Sequence, residues 1–231
     1  MDWRERAKER AALEAVRLVR DGHVIGLGSG STAAYAIREI GRLIRAEAIR
    51  VLGVPTSYEA LTLAVESGIP LTTLNEHPRL DLVIDGADQV DGDLNLIKGG
   101  GGALMREKVI ASAARSLVIV TDETKLVERL GTNHPVFVEV LPFALPSVSL
   151  KIQAIGGKPV LRKSESIVSP VITDNGNFIL DVDFGPIEEP RELDIRLKLI
   201  PGVMETGLFI GMADVVYVGG PAAVRRLARK H

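Results

Sequence analysis

Over the first 130 positions, apolar residues fall in short uninterrupted runs separated by stretches of helical periodicity. The runs are Val24-Ile25-Gly26-Leu27-Gly28, Ile49 to Val54, Leu82-Val83-Ile84 and Leu117 to Val120. Each is too short for a helix and, Arg50 apart, apolar, the pattern of strands buried on both faces of a parallel sheet. Before the first run, Ala12, Ala15, Val16 and Val19 mark the inner face of a helix over Trp3 to Arg20, closed by Asp21-Gly22. Ala33, Ile37, Ile40 and Ile44 mark a second helix. Thr56 and Glu59 read as a capping-box pair opening a third, which ends near Gly68, before Pro70. Leu71 to Leu74 reads as a further strand, and Asp122 to Leu130 as a short helix. The alternation predicts an α/β fold with a doubly wound, mainly parallel, Rossmann-like sheet.

After Gly131 the pattern changes. Val136 to Val140 is a strand, Phe143 to Ile155 is helical and Pro159 to Arg162 is extended. Val171-Ile172-Thr173 and Phe178 to Phe184 flank Asp174-Asn175-Gly176-Asn177, a strong hairpin signal. A helix over Pro190 to Leu199 and a strand over Val203 to Phe209 follow. This grouping predicts a second, smaller α+β (ferredoxin-like) domain over 131–209. Val215 to Val218 then reads as one more buried strand, ending in Gly219-Gly220 and followed by a basic final helix. That last unit is expected to return to the first sheet, so the first domain comprises 1–130 and 210–231. The hairpin and the clustered late strands argue against eight alternating units of a barrel.

Composition changes this picture mainly by exclusion. A formal net charge of −2 over 231 residues supplies no basic field, so no nucleic-acid partner is expected. No apolar stretch approaches the roughly 18 residues of a membrane span, so no membrane partner is expected either. Met1 to Arg10 is charged and helical rather than basic-then-apolar like a signal peptide. The chain has no cysteine, which excludes disulfides and thiolate chemistry and fits a cytoplasmic location.

The chemistry concentrates in three places. Gly26-Leu27-Gly28-Ser29-Gly30-Ser31-Thr32 lies at a strand-to-helix junction, where backbone N–H groups and a helix N-terminus face an anion. Ser31 replaces the third glycine of a dinucleotide fingerprint, and Gly53-Val54-Pro55 offers no acid for a ribose hydroxyl. No lysine follows as in a Walker loop, so the loop suits a single phosphate or carboxylate. Asp85-Gly86-Ala87-Asp88 ends an apolar strand with two carboxylates three positions apart, at the edge where open α/β sheets bind ligands. Either aspartate alone serves equally well as a turn residue. Asp91 and Asp93 lack the spacing of a calcium loop and read as an ordinary turn. Lys98 precedes Gly99, Gly100, Gly101 and Gly102, four residues that would weaken any regular element. Their amides suit close approach to an oxyanion. Glu107 follows about one turn into a helix, and Lys125 comes later; taken singly, each also suits a solvated helix surface. The four histidines show no metal-ligand spacing.

Together, Gly-Ser-Gly-Ser-Thr, Asp-Gly-Ala-Asp, Lys-Gly-Gly-Gly-Gly-Ala-Leu-Met-Arg-Glu-Lys and Thr-Asp-Glu-Thr-Lys resemble ribose-5-phosphate isomerase, type A. The resemblance extends to Val-Ile-Thr-Asp-Asn-Gly-Asn and to Ile-Pro-Gly-Val-Met-Glu-Thr-Gly-Leu-Phe. Ser29 stands where the family commonly has threonine, and Gln89 where it usually has glutamate. The resemblance implies a cofactor-free, metal-free exchange between ribose 5-phosphate and ribulose 5-phosphate. It assigns Glu107 as base, Lys98 and the amides of Gly99, Gly100 and Gly101 as stabilisers of an enediolate, and Asp85 as an aid to ring opening and hydroxyl proton transfer. Gly86, Ala87 and Asp88 would hold the sugar; Ser29, Gly30, Ser31, Thr32 and Lys125 would hold its hydroxyls and the 5-phosphate, with Lys8 near the mouth. It also implies a homodimer or homotetramer. Two other classes fit this architecture: a coenzyme A transferase with a nucleophilic glutamate, and a non-catalytic sugar-phosphate sensor. The sensor lacks a recognisable DNA-binding module, and Lys98 with Glu107 argues for chemistry.

Overall fold

The computed structural model describes residues 2–164 and 169–229. In chain order the elements are α1 (Trp3–Val16), β1 (Val24–Leu27), α2 (Ser31–Arg45), β2 (Leu52–Pro55), α3 (Tyr58–Glu66), β3 (Leu82–Asp85), β4 (Gln89–Val90), β5 (Leu96–Ile97), α4 (Leu104–Ser112) and β6 (Leu117–Asp122). Then follow β7 (Val136–Val140), α5 (Leu145–Ala154), β8 (Lys158–Leu161), β9 (Phe178–Asp183), α6 (Pro190–Lys198), β10 (Val203–Thr206), β11 (Leu208–Phe209), β12 (Val215–Gly219) and β13 (Val224–Ala228). They divide into one unit of residues 1–87, 106–126 and 212–231 and another of 88–105 and 127–211.

The first unit is built on a six-stranded sheet in the order β2-β1-β3-β6-β12-β13. Five strands are parallel; β13 pairs antiparallel with β12. Strand alternation sorts the core. Ile25, Leu27, Leu82, Ile84, Val118 and Val120 pack with Ala11, Ala12 and Ala15 of α1, Ile37 and Ile40 of α2, and Ala60 and Ala64 of α3. On the opposite face lie Gly26 and Val83, where a Cβ on Gly26 would sit 2.6 Å from the Ile110 side chain of α4. Helices therefore cover both faces, which is the doubly wound arrangement the apolar runs predict. The chain leaves β1 to form β2 on one side and returns to form β3 on the other, so the strand order reverses beside β1.

The second unit holds a four-stranded antiparallel sheet, β10-β7-β9-β8, and a three-stranded sheet, β11-β5-β4. Val136, Val138 and Val140 of β7, with Leu180 and Val182 of β9, form its core with Val148 and Ile152 of α5 and Leu193 and Leu197 of α6. The expected turn forms, with the Thr173 N–H donating to Asn177 O and the Gly176 N–H donating to Thr173 O, each at 2.9 Å, but Val171 to Thr173 is not a strand: only a single antiparallel bridge joins Ile172 to Phe178.

Several local expectations are corrected. Leu71–Leu74 is not a strand: one parallel bridge joins Leu71 to Gly53, and the chain then turns, with the Thr72 hydroxyl donating to Glu76 Oε2. The third helix is capped by Ser57, whose Oγ accepts from the Ala60 N–H at 3.1 Å, rather than by Thr56, which is fully buried. The helix expected over 122–130 is a single 3-10 turn, Glu123–Lys125, because the Val127 N–H turns away to donate to Val90 O. Val203 to Phe209 is two strands in different sheets, broken at Gly207, where a Cβ would lie 2.2 Å from Lys98 O. The basic final helix is the edge strand β13, and the last part of that expectation, 230–231, lies outside the described residues, as does Met1. Among the described residues no helix is long and apolar enough to cross a membrane.

Candidate active site

In the first unit the site residues gather at the carboxyl ends of β1 and β3. The Gly28 N–H donates to Ile84 O at 3.0 Å, which draws the loop after β1 against the end of β3. A Cβ on Gly28 would meet Asp85 Oδ1 at 2.3 Å and Asp85 Cα at 2.5 Å, so only glycine permits this approach. Asp85 is 1% exposed, and its Oδ1 accepts from the Gly86 N–H at 2.7 Å and the Ser29 N–H at 3.1 Å. The aspartate thus anchors both turns as well as presenting a carboxylate. Gly86 and Ala87, both half-buried, continue from it.

Gly30 precedes α2 with φ +86°, and Ser31 and Thr32 are its first residues. No side chain caps this N-terminus, so the first-turn amides and the positive end of the helix dipole remain available to an anion. The Ser29 hydroxyl lies 2.7 Å from Thr56 Oγ1 and 2.6 Å from Ser57 Oγ, a cluster of three hydroxyls at the ends of neighbouring strands. Lys8 reaches the same loop: its ammonium donates to Ser31 Oγ at 3.2 Å and pairs with Glu5 at 2.8 Å. The Tyr35 hydroxyl also donates to Glu5, at 2.9 Å. The hydrogen bonds from Lys8 and then Tyr35 hold the Glu5 carboxyl below its ordinary value, and the same bond raises the Tyr35 phenol. Glu107 lies in the first turn of α4 at 5% exposure, not on a solvated surface. Lys125 ends the 3-10 turn and is half-buried; Asp122 Oδ1 accepts from the Thr124 N–H at 2.9 Å to fix that turn.

The second unit carries Asp88 and the glycine loop. The Asp88 N–H donates to Ile97 O at 2.8 Å, and its Oδ2 accepts from the Gly100 N–H at 2.8 Å. Lys98 is 3% exposed; its ammonium lies 5.5 Å from the Phe209 ring centroid. An ammonium this deeply buried is rare, and its place at the start of the glycine loop is a functional signal. Gly99 has φ +125°, and a Cβ there would press on Leu104 and Phe137 at 2.8 and 3.0 Å. Gly100 and Gly101 are exposed.

Gln89 explains one departure from the expected motif. Its Oε1 accepts from the Gly131 N–H and its Nε2 donates to Thr132 O, each at 2.8 Å. A carboxylate could make only the first bond. Asp91 forms the turn expected of it, with Oδ1 accepting from the N–H groups of Asp93 and Asn95. Among the described residues no cluster of three or more His, Cys, Asp or Glu is placed to hold a metal ion. The sequence reading missed Thr56 and Ser57 as hydroxyls of the Ser29 cluster. Their position immediately after a strand that ends beside β1 was the available signal.

The first unit supplies buried carboxylates and the second a buried ammonium and bare backbone amides, groups whose chemistry suits proton transfer on an anionic, hydroxylated substrate. Comparison with known proteins bears on which one. Residues 52–223 match the family model described as Ribose 5-phosphate isomerase A (phosphoriboisomerase A). The chain is 52% identical over 212 residues to ribose-5-phosphate isomerase A of Methanothermobacter thermautotrophicus, covering 92% of this chain and 93% of that one. A solved D-ribose-5-phosphate isomerase in complex with phospho-erythronic acid superposes with a TM-score of 0.96 at 43% identity, covering 99% of this chain and 100% of that one. Ribose 5-phosphate isomerase A of Methanocaldococcus jannaschii superposes at 0.93 with 47% identity, covering 97% and 99% respectively.

Proposed function

The chain belongs to the ribose 5-phosphate isomerase A family, and from that membership we infer that it interconverts D-ribose 5-phosphate and D-ribulose 5-phosphate through an enediolate. The observation that carries the inference to the residues is that Glu107 and Lys98 are both retained and both buried, at 5% and 3% exposure. A carboxylate and an ammonium removed from water suit a base and an electrostatic stabiliser better than they suit a solvated surface.

The chemistry follows from the carbons involved. In the open-chain aldose, the Glu107 carboxylate takes the proton from C2. The C–H electron pair becomes the C1–C2 double bond while the carbonyl electrons move onto O1. The Lys98 ammonium and the amides of the Gly99–Gly101 segment stabilise the charge that develops on the enediolate oxygens. The O2 hydroxyl gives up its proton and O1 gains one, a transfer assigned to Asp85, which also assists opening of the furanose ring. Return of the first proton from Glu107 to C1 completes the ketose. Proton and electron balance close without a cofactor. Asp88 together with Gly86 and Ala87 holds the sugar, while Ser29, Gly30, Ser31, Thr32 and Lys125, with Lys8, hold hydroxyls and the 5-phosphate. In this reading the Rossmann-like unit supplies Glu107 and Asp85, and the second unit supplies Lys98 and the glycine amides. The family resemblance further supports a cytoplasmic homodimer or homotetramer, which light scattering on the purified protein tests.

The deciding experiment incubates purified protein with ribose 5-phosphate and EDTA and follows ketose formation, with Glu107→Gln alongside. Ketose from wild type and a loss of at least 1,000-fold in the variant are expected, in line with removal of a general base. Full turnover by Glu107→Gln would sink the assignment of the base. No ketose from either, with a hydroxylamine-trappable acyl intermediate, would establish the transferase. Binding of the sugar phosphate without turnover would establish the sensor.

A further inference from the structure

Arg162 lies just beyond β8 and spends its entire guanidinium inside the second unit. Its Nε donates to Asp181 Oδ1 and Oδ2 at 3.0 and 3.2 Å, and its Nη1 donates to Gly99 O at 2.9 Å and Gly100 O at 3.1 Å. The guanidinium carbon stacks 4.5 Å from the Phe137 ring centroid, and the side chain is only 14% exposed. Its Nη2 also donates to Asp181 Oδ1 at 2.5 Å, and a guanidinium is suited to this fork of five bonds in a way an ammonium is not.

The consequence follows from peptide planarity. In a trans peptide the carbonyl and the next residue's N–H point in opposite directions. The peptide joining Gly99 to Gly100 is clamped at both ends, by Arg162 at its carbonyl and by Asp88 Oδ2 at its N–H. The peptide joining Gly100 to Gly101 is clamped at its carbonyl alone. Among the described residues no acceptor meets the Gly101 N–H, and Gly101 is exposed. Glycines left to themselves would sample both orientations of that peptide. The cation at the carbonyl selects one and polarises the N–H opposite it.

We propose that Arg162, buttressed by Asp181 and Phe137, is a positioning residue that turns the Gly101 amide outward as a fixed donor for the negative charge formed during the reaction. The proposal rests on the isomerase reading above. Preorganised donors act on the transition state more than on the bound ground state, so the effect belongs in kcat rather than KM.

The test measures kcat and KM for ribose 5-phosphate in wild type, Arg162→Ala, Arg162→Lys and Asp181→Asn, with melting curves to normalise for folded protein. Arg162→Ala is expected to lose at least 10-fold in kcat with KM within threefold. Added guanidinium ion in the millimolar range should restore part of that loss, and Arg162→Lys should recover less than half of it on a logarithmic scale. Asp181→Asn should lose a smaller amount in the same direction. A lowered melting temperature with kcat per folded molecule within twofold of wild type would reduce Arg162 to a structural residue and overturn the proposal. If Arg162→Ala does not fold, the kcat-to-KM split in Asp181→Asn decides by the same criterion. Failure of the isomerase reading is distinct, since wild type itself would then form no ketose.

Discussion

Gly28→Ala tests whether the approach of the glycine-serine loop to β3 organises the first unit. The added Cβ would lie 2.3 Å from Asp85 Oδ1 and 2.5 Å from Asp85 Cα. The carboxylate can rotate away, but the Cα belongs to a strand paired on both sides, with β1 and β6. Overpacking of this kind costs about 1–3 kcal/mol. Rotation of the carboxylate gives up at least one of its bonds to the Ser29 and Gly86 amides, and a hydrogen bond to a charged group is worth about 1.5–3 kcal/mol. Strain plus one bond lost therefore gives roughly 2.5–6 kcal/mol, or a melting temperature lowered by about 5–24 °C at this chain length. Because Asp85 is displaced too, turnover should fall at least 10-fold in the protein that remains folded. Thermal melts followed by circular dichroism, with Gly92→Ala as comparator, give the answer. A Cβ on Gly92 meets nothing within 4 Å, so that variant should stay within about 2 °C of wild type. A Gly28→Ala protein that melts with wild type and turns over normally would refute the claim that this contact sets the loop.

Glu139 is fully buried, and its Oε1 accepts from Thr173 Oγ1, Asn175 Nδ2 and Asn177 Nδ2 at 2.9, 3.0 and 2.8 Å. Glu139→Ala should cost about 3 kcal/mol or more in urea unfolding, with hydrogen exchange rising first at the 173–177 turn. Gln89→Leu removes the partners of the Gly131 N–H and the Thr132 carbonyl and should cost roughly 2–4 kcal/mol by the same measurement. The Glu5 carboxyl, held below its ordinary 4.5 by Lys8 and then Tyr35, favours the folded state above pH 4.5 and loses that contribution as pH falls through the lowered value. The raised Tyr35 phenol has the opposite sense, favouring the folded state below its ordinary 10.0 and losing that contribution as pH rises through the raised value. Urea melts of wild type and Glu5→Gln should accordingly differ at pH 7 and converge as pH falls from 4.5 through the lowered value; a constant difference throughout would count against the Lys8–Glu5–Tyr35 group.

The central sheet was legible because its strands are buried on both faces. Leu82–Asp85, Leu117–Asp122 and Val215–Gly219 are apolar runs of a length no helix uses, and all three pair in the parallel sheet. The glycine loops were legible because bare glycine is costly anywhere except where backbone must approach something closely. The misreadings share a cause: a local pattern overruled by a distant partner. Val224–Ala228 is Val-Arg-Arg-Leu-Ala, which suits a helix as well as a strand, and Arg225 and Arg226 are exposed on an edge. Arg10 of α1 donates to Gly220, Pro221 and Ala222 carbonyls, stabilising the turn that sends this segment back along β12. The residues after Asp122 begin as a helix would, yet one backbone bond from Val127 to Val90 redirects them after a single turn.

The candidate site divides the same way, between glycines that announce themselves and single polar residues that hold them. Ser29 and Gly86 are held by Asp85, Gly99 and Gly100 by Arg162 and Asp88, and Gly131 by Gln89. Of these, Asp85 and Asp88 belong to a motif, whereas Arg162 and Gln89 carry no periodicity or spacing. An isolated arginine after a strand has the composition of any surface, and nothing local distinguishes it from Lys163 beside it. What marks Arg162 is that all three guanidinium nitrogens are bonded, to Asp181 and to glycine carbonyls up to 63 positions away in the chain. Flexible donors lose preorganisation unless something rigid fixes the far end of each peptide, so a run of glycines near developing charge implies such a clamp before its identity is known. The general expectation is that each glycine loop of this kind has a charged or amide side chain bonded to its backbone, at a carbonyl or at an N–H. Removing that side chain should show in kcat before it shows in stability.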